Sequence, residues 1–193
     1  MENLIYKLSA LSEKTSLQTR YNSMLAGNAS YDPSQYFYIS SASISTSSAS
    51  FTSIPSTYKH LQIRFSGYNG AASYGRLSFN SDLTTTNYKT HYLMGNSSTA
   101  TAGGYSGYAG VVLAGSSGFS NPASYVIDIL DYTSTNKTKV VRILGGTDQN
   151  GSGAIEFVSG VWLNSSNAIT SINLEANSGS WTIASFALYG IKG

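Results

Sequence analysis

Few residues in this chain have side chains able to do chemistry, and they are scattered. Among its 193 residues are two histidines, nine acidic residues and no cysteine. Lacking thiols, the chain has no disulfide, thiolate metal site or cysteine nucleophile. His60 and His91 each sit in a run of strand-type residues, with no Ser, Asp or second His at a recognisable spacing. The Gly-x-Ser-x-Gly turn that presents a serine nucleophile is also absent. Asp128 and Asp131 invite a carboxylate-pair reading. Three positions apart on one strand they would point to opposite faces, so they read as a strand residue and a turn residue. The expectation is a protein without catalytic residues.

The segment Asp148-Gln149-Asn150-Gly151-Ser152-Gly153-Ala154-Ile155 has the most chemical content. It places oxygen side chains (Asp148, Asn150, Ser152) at positions 1, 3 and 5 of a calcium loop, glycine at 6 and isoleucine at 8. Position 12 is Ser159 instead of a bidentate glutamate, and Glu156 at position 9 is the one further carboxylate. A hairpin turn using Asn-Gly accounts for the same residues and is the preferred reading. Calcium is the one cofactor candidate.

Fifteen tyrosines offer a different chemistry. Tyrosine beside Ser, Asn and Gly makes adaptable contact surfaces with an apolar ring and a polar tip. Tyr68, Tyr74, Tyr105 and Tyr108 lie near loops and are the candidate glycan contacts, against a half-buried strand role for each.

The elements that must position these groups are mostly strands. Hydrophobic residues make up 41% and charged residues only 10%, so Ser, Thr, Asn, Gly and Tyr must keep the surface wet, a composition that reads all-β. Residues 1–26 are the exception. Leu4, Leu8 and Leu11, then Leu17, Tyr21 and Met24, repeat at helical spacing and stop at Gly27-Asn28, predicting an N-terminal α-helix. Residues 1–30 are therefore read as a helical anchor and 31–193 as one β domain. Strands are expected at 36–39, 44–51, 60–65, 76–79, 88–93, 108–113, 125–130, 138–144, 154–163, 171–174 and 181–191, with 95–107 and 114–122 as linkers. Short alternating strands without interleaved helices predict an antiparallel β-sandwich, jelly-roll-like, with a closed barrel as the alternative.

Several of these strands are apolar on both faces. Val126 and Leu130 oppose Ile127 and Ile129, and Phe186 and Leu188 alternate with Ile183 and Ile191. A two-sheet core uses one face, so the surplus implies a neighbour, either a subunit interface or a covering N-terminal helix, which would explain it equally well. Leu4, Leu8, Leu11, Tyr21, Phe186 and Leu188 are the expected self-association residues. A net charge of +2 without a basic run argues against a nucleic-acid partner, and no apolar run reaches the ~20 residues of a membrane span.

Four segments together resemble virion proteins of tailed bacteriophages, a family of tail-fibre-like or capsid-decoration sandwiches. They are Ser53–Leu61 (SIPSTYKHL), Val126–Tyr132 (VIDILDY), Gly160–Asn164 with Ala168–Ile172 (GVWLN and AITSI), and the ending Phe186–Gly193 (FALYGIKG). The similarity runs in order through residues 36–193. It implies a structural component of the virion assembled in the host cytoplasm, most often as a trimer. The implied partners are other capsid or tail proteins and, for a fibre, a host-surface glycan. It carries over no catalytic residue.

Overall fold

The computed structural model describes residues 35–44, 46–69, 74–96, 98–113, 123–148, 153–177 and 179–193. The chain divides into two units, Met1–Phe37 and Tyr38–Gly193. The expected N-terminal helix, with Leu4, Leu8, Leu11 and Tyr21, lies outside the described residues.

Among the described residues twelve strands follow one another: β1 (Tyr36–Ile44), β2 (Ser48–Phe51), β3 (His60–Asn69), β4 (Gly75–Phe79), β5 (Tyr88–Asn96), β6 (Ala100–Ser106), β7 (Val111–Val112), β8 (Ala123–Leu130), β9 (Lys139–Asp148), β10 (Gly153–Trp162), β11 (Ile172–Ala176) and β12 (Trp181–Ile191). Among the described residues the only helical piece is a 3-10 turn at Thr85–Asn87. The strands form an eight-stranded sheet in the order β1-β12-β3-β8-β9-β10-β5-β6 and a four-stranded sheet in the order β2-β11-β4-β7. Every described register is antiparallel.

Alternation decides which face is buried. On β3, Leu61, Ile63 and Phe65 point inward, and on β8 Tyr125, Ile127 and Ile129 do the same. They share one core with Phe51, Leu77, Phe79, Ile172 and Leu174 of the smaller sheet. Phe65 stacks on Phe186 at 4.7 Å between ring centroids, and Trp181 meets Phe65 edge-on at 5.4 Å. Phe186 and Leu188, expected at a subunit contact, are instead fully buried here. The register pairs them with Phe65 and Ile63, so their face of β12 is the core face.

Four other expectations change. The proposed linker 95–107 contains β6, held as an edge strand by seven paired positions on β5. The strand expected over 36–39 lengthens to Ile44 in the larger sheet, and the one expected over 44–51 shortens to Ser48–Phe51 in the smaller sheet. The strand expected over 108–113 shrinks to Val111–Val112.

Candidate functional site

Three of the four tyrosines singled out by sequence come together. Tyr74 precedes β4, Tyr105 lies on β6 and Tyr108 follows β6, and Tyr92 of β5 joins them. Tyr92 and Tyr105 stack at 5.4 Å with 27° between ring planes. Tyr108 meets Tyr105 edge-on at 5.5 Å and Tyr74 at 5.8 Å, and Tyr74 lies 5.6 Å from Tyr105. The hydroxyls of Tyr74 and Tyr108 share a hydrogen bond of 3.2 Å. All four rings are half-buried, so the cluster is partly open to solvent. Tyr68 belongs to β3, and its side chain lies outside the described part.

Loss of solvent, with Tyr92, Tyr74, Tyr108 and Glu156 nearby, pushes Tyr105 up to about 12. The hydrogen bond with Tyr74, then burial, raises Tyr108. Phenols raised in this way stay neutral at pH 7, so the cluster offers ring faces and neutral hydroxyls for stacking and hydrogen bonding. It does not offer a ready proton acceptor.

The other sequence candidates fall elsewhere. Asp148 is exposed at the end of β9, and Asn150 and Ser152 lie outside the described residues. Among the described residues no group of three or more His, Cys, Asp or Glu is placed to hold a metal. His60 has a structural task, its Nδ1 accepting the Asp131 backbone N–H at 2.9 Å. Asp131 occupies a turn with φ of +48° and is paired with Lys59 at 3.1 Å and Lys137 at 3.2 Å. Hydrogen bonds from those two lysines hold its carboxyl below the ordinary value.

The outer face of the larger sheet carries a feature the sequence reading found only at Val126. Val126, Leu144, Phe157 and Leu93 stand opposite one another in consecutive registers across β8, β9, β10 and β5. Their exposures are 40%, 54%, 47% and 55%, and Ile155 beside them is 65% exposed. A contiguous band of large apolar side chains on four neighbouring strands differs from scattered exposed leucines, which are ordinary. The available signal was Ile155 and Phe157 alternating with the core residues Val158 and Trp162.

No protein-family model matches the chain, and no curated protein sequence does. Among solved structures, the crystal structure of exo-inulinase from Aspergillus awamori aligns over 81% of this chain at 14% identity with a TM-score of 0.41. The chain spans 29% of that enzyme's length. An alginate lyase variant in complex with an alginate tetrasaccharide aligns over 79% of this chain and 74% of its own at 10% identity, with a TM-score of 0.27. Likeness at these scores assigns neither activity nor ligand. No helix among the described residues is long and apolar enough to cross a membrane.

Proposed function

We propose that this chain is a non-enzymatic structural component of a tailed-phage virion, a jelly-roll-like sandwich that self-associates and docks on the particle by its N-terminal segment. The observation carrying the self-association is the exposed band Val126–Leu144–Phe157–Leu93. Such a band is a recurrent mark of a protein contact. The virion assignment rests on the four sequence segments described above. Adding purified full chain to particles that lack it tests the reading, with cryo-electron microscopy to locate it. Restored density is expected, and its loss on changing Leu4 and Leu8 to Asp would support N-terminal docking. Particles that never bind or contain the chain would sink the assignment.

A second reading, recognition of a host-surface glycan, is favoured by the Tyr74–Tyr92–Tyr105–Tyr108 cluster, whose rings and neutral hydroxyls suit the apolar and polar faces of a sugar. A glycan array is its test. Binding that disappears in Tyr105→Ala supports it, and an array without any binder rejects it.

A further inference from the structure

The outer face has a second row beside the apolar band. Two residues along each strand from Val126, Leu144, Leu93 and Arg64 stand Ser124, Gly146, Gly95 and Ser66, again in register across the sheet. The band is thus a ridge running across the strands, and the second row is a trough. Only β10 interrupts the trough, with Ile155. Gly146 stays bare by necessity, since a Cβ there would run into the Ala154 carbonyl oxygen.

We infer that this face binds a second copy of the same chain about a two-fold axis lying between ridge and trough and running across the strands. Such an axis sets the ridge of each copy in the trough of the other. Leu144 meets Gly146, Leu93 meets Gly95, Val126 meets Ser124, and Phe157 meets Ile155 at the centre. The same operation carries Arg142, exposed on β9 beyond the ridge, onto Asp148, exposed beyond the trough. The resulting Arg142–Asp148 contact forms twice, once on each side of the axis. Ridge, trough and charges are complementary to their own rotated image, the requirement of a closed two-fold contact. Another protein would have to match all three by coincidence. Six strands at about 4.8 Å spacing give a footprint on the order of 600 Å² per copy, at the lower edge of specific interfaces. The apolar centre with a charged rim follows the usual anatomy of such contacts.

The inference rests on the self-association proposed above, but departs from the three-fold assembly that the resemblance implies and assigns one surface and a two-fold symmetry instead. Sedimentation velocity of the full chain across a concentration series tests it, beside three variants. Gly95→Phe fills the trough where only the Ile155 Cγ2, 3.5 Å away, is near an added Cβ, so the fold accommodates it. Asp148→Lys sets like charges opposite one another between copies and leaves untouched the Asp128 that stands opposite Arg142 within its own sheet, and combining it with Arg142→Glu restores opposite charges between copies. The expected result is a two-molecule species weakened at least tenfold by each single change and recovered in the charge swap. A dimer indifferent to all three, or a trimer, overturns this inference while leaving self-association standing. A monomer at every concentration overturns both.

Discussion

The Tyr125 hydroxyl donates to Glu156 Oε2 at 3.0 Å, reaching from β8 to β10 across the intervening β9. The position between them in the register is Gly145, paired with both residues. A Cβ there would collide with the Tyr125 ring and the Ser124 carbonyl. The missing side chain is therefore what lets the ring lie over β9. Glu156 is 1% exposed, so the contact brings a polar donor to a carboxyl group that burial has taken out of water.

Tyr125→Phe keeps the ring and deletes the donor. Withdrawing one partner from a buried polar pair costs about 1–3 kcal/mol, and equilibrium denaturation should show a loss in that range. Gly145→Ala should cost more, because it strikes backbone as well as ring. In the Gly145→Ala background, adding Tyr125→Phe should cost little further, since the hydrogen bond is already displaced. Additive losses would mean that the glycine does not act through the tyrosine.

Phe186 and Phe157 look alike in sequence, each in an apolar strand, yet they face opposite sides of the larger sheet. Phe186 is fully buried against Phe65 and Trp181, so Phe186→Ala should lose about 3–5 kcal/mol. Phe157, on the outer face, should lose less than about 1 kcal/mol on the same change, provided stability is measured at concentrations where the chain is monomeric. Comparable losses would contradict the assignment of faces.

That pair shows what was legible in the sequence. Alternation placed Leu61, Ile63 and Phe65 on one face of a strand, because one covered face demands period two. It could not say which face of β10 or β12 is covered, since both are apolar and register with neighbouring strands decides. The segment of β6, ATAGGYS, has weak intrinsic strand preference and is held by pairing with β5, so it read as a linker. Tyr74 and Tyr108 are recognisable in the sequence as loop tyrosines, while their meeting depends on β6 folding back beside β5. Nothing local connects Gly145 to Tyr125 and Glu156, which lie 20 positions before it and 11 after it and meet it only through strand register.

Trp162 links two charged groups in a way that separates charge from packing. Its indole N–H donates to Asp82 Oδ2 at 2.8 Å, and Lys139 Nζ lies 5.4 Å from its ring centroid. Burial works to raise Asp82, but hydrogen bonds from Trp162, Asn87 and Thr84 outweigh it and hold the carboxyl at about 2. Lys139 has no exposed surface, and its Nζ donates to the Asn164 carbonyl at 3.1 Å. Burial lowers its pKa. Lys139→Met keeps the stem against Trp162 and removes a charge taken from water, so stability should stay within about 1 kcal/mol or rise. Lys139→Ala leaves a cavity and should lose about 2–4 kcal/mol. A large loss with Met would show that the ammonium itself holds this end of the sheet, and chemical denaturation of both variants decides it.

Alkaline pH should unfold this protein through its tyrosines. Burial above all raises Tyr88 and Tyr125, Tyr105 is pushed to about 12, and the bond to Tyr74 raises Tyr108. An unfolded chain ionises these phenols near 10, so above that pH the unfolded state has released protons that the folded state still holds. Stability then falls as pH rises, because the folded state binds more protons than the unfolded one. The full stability is present below pH 10 and is lost progressively from 10 towards 12, the window set by Tyr105. Tyrosinate absorbance and denaturant midpoints followed together from pH 9 to 12 should show phenol ionisation lagging and then arriving with unfolding. Tyr105→Phe should soften the alkaline decline without changing it below pH 9. A native state in which every tyrosine titrates smoothly near 10 would refute the burial that raises Tyr88, Tyr105 and Tyr125.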